Sequence, residues 1–173
     1  LGTGNDCVTF QQTSPIQVRD QECTETHKFV CTGVTNACTA CAAGKYQSST
    51  GQSTCTACPA GKYADQAAQV ACKECDTGRY NAQAAQTTAA SCNDCAAGKY
   101  QGTTGNDECN ECSAGLYGDV AGLTTCKNCQ VGRYNDQVGQ DVHTGCKGCP
   151  TGLYSDQEAQ VAASGCKSCA VGL

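Results

Sequence analysis

"CAAGKYQSSTGQSTC", residues 41 to 55, returns as "CAAGKYQGTTGNDEC" at residues 95 to 109. The copies keep Cys, Gly and Tyr in place and differ in polar residues, which marks the stretch as one unit of a repeat. Working outward from it, C-x-x-C pairs begin at Cys38, Cys55, Cys72, Cys92, Cys109, Cys126, Cys146 and Cys166, in steps of 17, 17, 20, 17, 17, 20 and 20. The first six steps are a triplet repeated once, with a superperiod of 54 residues, and "GRYN" at 78 to 81 accordingly returns at 132 to 135. The longer units carry three extra residues just before the closing Cys: "AAS" at 89 to 91, "HTG" at 143 to 145 and "ASG" at 163 to 165. Small polar insertions of this kind lengthen a loop and leave the scaffold unchanged.

The chain has 173 residues, of which 19 are Cys, with seven Tyr, two Phe and no Trp or Met. That inventory cannot fill a core of ordinary size, so covalent staples must substitute for burial. Disulfides persist in oxidising compartments, which places the working protein outside the cell or in the secretory pathway. No secretory leader and no long apolar run is present, so a leader or membrane anchor is expected outside these residues. The net charge of −5, with 11 scattered Lys and Arg, gives no basic patch for nucleic acid or anionic lipid.

Three readings of C-x-x-C compete. A zinc array takes the pairs two at a time and favours spacers alternating with period two, whereas these vary with period three. A redox C-x-x-C belongs at a helix start in a βαβ pattern, which is absent, and C-x-C of the metallothionein kind never occurs. The remaining reading is a disulfide ladder in which the second Cys of each pair closes a loop with the first Cys of the next. It gives Cys41–Cys55, Cys58–Cys72, Cys75–Cys92, Cys95–Cys109, Cys112–Cys126, Cys129–Cys146 and Cys149–Cys166, with Cys169 left to pair beyond Leu173. Spacing alone also admits crossed pairings. The odd Cys and the incomplete last copy, Cys169 to Leu173, are expected from a window on a longer array that breaks off within an eighth repeat.

Within each unit a Gly (Gly44, Gly61, Gly78, Gly98, Gly115, Gly132, Gly152) is expected to supply a positive φ or a close backbone approach. The Tyr two residues on (Tyr46, Tyr63, Tyr80, Tyr100, Tyr117, Tyr134, Tyr154) is expected to cover a disulfide and stack on the adjacent repeat. A rival reading makes these rings an exposed row for glycan or protein binding. The fold class is a small disulfide-rich repeat protein: an extended ladder of short β-hairpin loops, little helix and no single hydrophobic core. Single helical turns are expected in the Ala- and Gln-rich stretches at 66 to 71, 82 to 90 and 157 to 163.

The unit C-x-x-C-x-x-G-x-Y resembles the cysteine-rich repeat of the ephrin-receptor-like type, akin in style to tumour-necrosis-factor-receptor repeats, over residues 38 to 173. The resemblance implies an extended extracellular module of receptors, matrix and surface proteins, without enzyme activity or cofactor. Residues 1 to 37 form a different segment, a cysteine-containing cap or the end of a preceding domain. Cys7, "VRDQEC" ending at Cys23 and "KFVC" ending at Cys31 resemble the C-terminal end of a C-type lectin domain. That family implies Cys7–Cys23 and a partner for Cys31 upstream of Leu1. A capping module with Cys7–Cys23 and Cys31–Cys38 is the alternative and is preferred, because it also satisfies Cys38.

His27 and His143 are solitary, and no nucleophile, phosphate loop or paired acid is present. Asp65, Asp119, Asp136 and Asp156, each two residues after a repeat Tyr, read as turn formers before calcium ligands, since one carboxylate per repeat is too few. Asn36, Asn93 and Asn110 have Cys at the third place, a weak glycosylation pattern, while Ser and Thr in the loops suit O-linked sugars. The expected function is a structural rod or stalk segment of an extracellular filament, appendage or surface coat. Its expected partners are copies of itself or other extracellular structural proteins, with attached glycans; nucleic acid and direct membrane insertion are not expected. The alternative is a receptor or adhesion ectodomain that binds a protein or glycan.

Overall fold

A computed structural model describes residues 29–31, 38–49 and 52–169. Seven disulfides close consecutive loops: Cys41–Cys55, Cys58–Cys72, Cys75–Cys92, Cys95–Cys109, Cys112–Cys126, Cys129–Cys146 and Cys149–Cys166. They are called loops 1 to 7 below. Closing a loop of about 15 residues removes roughly 3 kcal/mol of unfolded-chain entropy in the simplest treatment, and each loop here needs that help. Cys169 is unpaired and exposed. The expected Cys7–Cys23 bond lies outside the described residues, as do His27 and Asn36.

Each loop is pinned by a two-residue antiparallel hairpin. The residue before Tyr and the Tyr itself pair with the two residues that follow the closing Cys, as in Tyr46↔Thr56 with Lys45↔Ala57, and Tyr117↔Lys127 with Leu116↔Asn128. A turn at C-x-x-G brings the chain round, closed in loop 1 by Lys45 N–H donating to the Ala42 carbonyl at 3.1 Å. Gly44 takes φ +81° there, a conformation that a Cβ disfavours. The strand Phe29–Cys31 pairs with Cys38–Ala40 as Val30↔Thr39 and Cys31↔Cys38. Thr39 directly follows Cys38 as Thr56 follows Cys55, so this hairpin has the register of the later ones. The register sets the backbones of Cys31 and Cys38 opposite one another; a bond between their side chains lies outside the described residues.

The 3₁₀ turns overlap the Ala- and Gln-rich stretches only at their ends, at Ala89–Ala90 and Ala163, and the stretch at 66 to 71 holds none. Three 3₁₀ turns occupy Ala89–Ser91, His143–Gly145 and Ala163–Gly165, which are the three inserted triplets. The extra residues coil once and deliver the chain to the closing Cys, so the hairpin register survives the insertion. The Gln-rich stretches instead supply a bend and one left-handed residue per loop.

The chain divides into two compact units. The first holds the described residues up to Glu74 together with Gln83–Ser91, and the second holds Cys75–Ala82 with the described residues from Cys92 onward. In both units the interior is mostly sulfur. The opening cysteines Cys41, Cys58, Cys75, Cys95, Cys112 and Cys129 are all at most 1% exposed, and none of the seven Tyr rings is buried with them.

The left-handed residue is Ala in three loops, with φ +61° at Ala68, +58° at Ala85 and +55° at Ala159. Gly105, Gly122 and Gly139 hold the same place in the other loops at φ +73°, +75° and +68°. An L-residue is strained there and Gly is not, although Gly loses more freedom on folding. Ala159→Gly is therefore expected to raise stability by about 0.5–1 kcal/mol, net of that entropy. The check is the denaturant midpoint of the oxidised protein, and a fall in midpoint would contradict the assignment of strain.

Candidate functional site

The loops carry one recurrent surface, and backbone groups make it. In the first unit Gly44 N–H donates to the Ala64 carbonyl at 2.8 Å, Gln47 N–H to Gln69 at 3.1 Å, and Ala68 N–H back to Cys41 at 2.8 Å. Ala64 N–H to Gln86 at 2.9 Å and Ala85 N–H to Cys58 at 2.8 Å continue the set between loops 2 and 3. The second unit repeats the triple: Gly98 N–H to Gly118, Gln101 N–H to Leu123, and Gly122 N–H back to Cys95, at 2.7, 3.0 and 2.8 Å. Loops 1, 3, 4, 5 and 6 therefore each grip the next by the repeat Gly, by the residue after Tyr, and by the left-handed residue of the following loop. Side chains are not needed for the grip, so their sequence can vary.

A second layer of contact reaches two loops along. A Cβ at Gly44 would collide with the carbonyl of Ala85 in loop 3. In the second unit Gly78 meets Gly122, Gly98 meets Gly139 and Gly115 meets Ala159 in the same way, each at a positive φ. Stacking is thus more than nearest-neighbour, and the repeat Gly has two separate reasons to be Gly. One is its own φ; the other is the carbonyl laid on top of it.

The Tyr rings stand beside this interior and do not form it. Tyr46, Tyr63, Tyr80, Tyr100, Tyr117 and Tyr134 are half-buried, and Tyr154 is 43% exposed. The buried residue is the next one along, Gln47, Ala64, Asn81, Gln101, Gly118, Asn135 and Ser155 in turn. Reading for large apolar residues passes over it, but the repeats aligned on Tyr do carry a signal: the position is never charged and never large and apolar.

Burial of Gln47, Gln101 and Asn135 is possible because these amides satisfy themselves on the backbone. Gln101 donates Nε2–H to the Glu108 carbonyl at 2.9 Å and accepts from Thr103 N–H at 3.3 Å. Asn135 donates Nδ2–H to the Leu116 and Gln137 carbonyls at 2.8 and 3.0 Å and accepts from Gln137 N–H. Its bond to Leu116 crosses from loop 6 to loop 5, so the side chain adds to the stack where those of Gln47, Gln101 and Ser155 close their own loops.

Asp65, Asp119, Asp136 and Asp156 are engaged in ion pairs. Each pairs with the Lys that follows its closing Cys: Asp65–Lys73 at 2.7 Å, Asp119–Lys127 at 2.6 Å, Asp136–Lys147 at 2.7 Å and Asp156–Lys167 at 2.8 Å. The Lys stands directly opposite the Tyr in the hairpin, which puts its amine within reach of the carboxylate two residues beyond. The remaining three repeats have Ser48, Ala82 and Gly102 at the Asp place and Thr56, Asn93 and Asn110 at the Lys place, so both partners come and go together. Lys62–Glu74, Arg79–Asp94 and Lys99–Glu111 form a second row of cross-strand pairs. His143 begins an exposed 3₁₀ turn, and the described residues hold no cluster of three metal-ligating side chains.

The hydrogen bond from the Lys amine holds each of these four carboxyls below its ordinary value and the paired Lys above its own. A lowered Asp pKa makes the pair's contribution full above the unfolded carboxyl value and lost as pH falls through the folded one. A raised Lys pKa makes it full below the unfolded amine value and lost as pH rises through the folded one. The pairs are therefore intact from roughly pH 4 to pH 10. All are solvent-exposed, so they set the orientation of the hairpin surface more than its stability.

Two segments, residues 30–68 and 83–122, match a family model described as tyrosine-protein kinase ephrin type A/B receptor-like. Together they span rather less than half of the chain. The lectin resemblance of residues 1 to 31 is not supported by a family match. No curated protein matches the chain. No helix among the described residues is long and apolar enough to cross a membrane.

Two measurements test this account of the surface. Gly98→Ala is expected to lower the unfolding midpoint well beyond Gly132→Ala, because both replace a residue at positive φ but only Gly98 lies under a carbonyl. Strain alone costs about 1–2 kcal/mol; equal losses would show that the overlying carbonyl contributes nothing. Separately, Lys127→Met is expected to raise the NMR titration midpoint of Asp119 toward the ordinary carboxyl value, and an unmoved midpoint would remove the ion pair.

Proposed function

We propose that the chain is a structural rod or stalk segment of an extracellular filament, appendage or surface coat. Ephrin-receptor-like cysteine-rich segments fit an extracellular disulfide-rich protein. The observation that supports a structural role is how the recurrent positions are used. In loops 3 to 6 the opening Cys, the Gly, the residue after Tyr and the left-handed residue are all engaged with neighbouring loops of the same chain. What changes from repeat to repeat is the exposed face, where four repeats carry the Asp–Lys pair and three carry neutral residues at both places.

Its partners in this reading are copies of itself or other extracellular structural proteins, and O-linked glycans on the exposed Ser and Thr of the loops protect the assembly. No catalytic step is assigned to the chain. A second reading, a receptor or adhesion ectodomain binding a protein or glycan ligand, is favoured by the description of the matching family as receptor-like. The half-buried Tyr rings would then supply part of the contact surface.

Electron microscopy of the native, unreduced protein at working concentration separates the two. Ordered filaments with an axial repeat commensurate with the 17/17/20 steps are the expected result. Dispersed single particles would favour the ectodomain. An intact mass equal to the peptide mass would remove the glycans from the account.

A further inference from the structure

The disulfides are unequally covered, and we propose that Cys109 and Cys126 are the sites at which a small-molecule thiol enters the chain by exchange, while Cys75–Cys92 and Cys129–Cys146 stay locked. The proposal goes beyond the filament reading and holds whether or not copies assemble.

Loops 3 to 6 show the difference, because the two loops that follow loop 4 and the two that follow loop 5 are all described. Their opening sulfurs are out of reach: Cys75, Cys95, Cys112 and Cys129 are at most 1% exposed. The closing residues divide. Cys92 and Cys146 are buried, at 7% and 2% exposure, whereas Cys109 and Cys126 are half-buried. The division follows the sequence. Loops 3 and 6 share Gly-Arg-Tyr-Asn at 78 to 81 and 132 to 135 and carry an inserted triplet, while loops 4 and 5 have Lys99 and Leu116 at the Arg place and no triplet. Arg133 donates Nη1–H to the Cys146 carbonyl at 2.8 Å, which lays its side chain across the closing residue. Arg79 is held by Asp94, two residues after Cys92, with Nε 2.7 Å from Oδ1. Lys99 reaches Glu111 only at 3.6 Å, and Leu116 has no polar group to anchor it.

Exchange begins when a thiolate attacks one sulfur of a disulfide, so access to that sulfur governs the rate. At Cys126 the incoming sulfur bonds to Sγ, the Cys112–Cys126 bond breaks, and its electron pair leaves with Cys112. The products are a mixed disulfide on Cys126 and a thiolate on Cys112. A second thiol removes the first as a small-molecule disulfide and returns Cys126 as a thiolate, so two thiols supply the two electrons. Cys109 and Cys95 react alike. Burial disfavours charge on the leaving sulfur, and its backbone is held without the disulfide: Cys112 N–H donates to the Gly98 carbonyl at 2.8 Å and the Cys112 carbonyl accepts from Gly139 N–H at 2.7 Å. Cys95 is held in the same way by the Gly78 carbonyl and Gly122 N–H, at 2.9 and 2.8 Å. The released sulfur therefore stays beside the mixed disulfide and recloses on it, which makes thiol entry reversible. Loops 3 and 6, three places apart, remain closed throughout.

The test uses the full oxidised chain with its exposed Cys169 first alkylated by iodoacetamide. Dithiothreitol is added under native conditions, aliquots are trapped with N-ethylmaleimide, and peptide mass spectrometry follows the labelling of each cysteine with time. Cys109 and Cys126 are expected to label about tenfold faster than Cys92 and Cys146, and the four rates to converge in denaturant. Glutathione in place of dithiothreitol is expected to leave its mass on Cys109 and Cys126. Arg133→Ala and Arg79→Ala separate cover from charge, because a guanidinium attracts an attacking thiolate: its loss slows exchange if charge dominates and speeds it if cover dominates. Each variant is expected to speed labelling about fivefold at the closing Cys of its own loop, Cys146 or Cys92, and to leave Cys126 unchanged. Equal native rates at the four closing cysteines, or loops 3 and 6 opening first, overturn the proposal. Slower or unchanged labelling of Cys146 and Cys92 in the two variants overturns the cover assigned to the Arg side chains.

Discussion

The structure depends on the absence of a side chain at one place in each repeat. At Gly44, Gly78, Gly98 and Gly115 the Gly three residues after the opening Cys holds a left-handed turn, donates its N–H to the next loop, and lies under a carbonyl from the loop after that. A hydrogen bond between loops adds only about 1 kcal/mol net, so no single contact holds a loop down. Three such bonds per step, packed sulfur beneath them and a covalent closure around each loop accumulate along the chain, as expected of a repeat protein in which stability is summed over units and interfaces. The disulfides restrict the unfolded chain; the glycines let the loops meet.

This division of labour explains why the interior lacks aromatic residues. Loops this closely stacked leave room for Cys, Gly, Ala and a self-satisfied amide, and a ring is held at the margin. A Lys stands opposite Tyr63, Tyr117, Tyr134 and Tyr154, and Lys147 places its amine 5.9 Å from the centre of the Tyr134 ring, at the outer limit for a cation–π contact. The ion pairs of Asp65, Asp119, Asp136 and Asp156 follow from the same register.

Cysteine spacing carried most of the architecture in readable form. The consecutive loops, the near absence of helix and the short hairpins follow from C-x-x-C pairs at fixed steps, and the turn at Gly44 follows from Gly standing before a two-residue strand. Less legible was anything that depends on loops two places apart, because sequence spacing specifies which loops are neighbours and not how thickly they overlap. The residue after Tyr escaped for a different reason. Gln47, Asn135 and Ser155 are polar and read as surface, yet they are buried because turn carbonyls and amides satisfy them. The Ala- and Gln-rich stretches read as single turns, but the coil is set by the inserted triplets, which those stretches reach only at Ala89–Ala90 and Ala163 and where the chain must take up three residues without disturbing the hairpin.

The central claim is that backbone bonds between loops hold the molecule together, and amide hydrogen exchange of the oxidised chain tests it most directly. The account predicts strong protection at Gly44, Gln47, Gly98, Gln101, Gly115 and Asn135, whose N–H groups cross between loops, with fast exchange at the exposed Val120 and Val138, which donate no backbone hydrogen bond to the described residues. If the crossing amides exchanged as fast as Val120 and Val138, the loops would be independent rings joined only by the chain, and the account would be wrong.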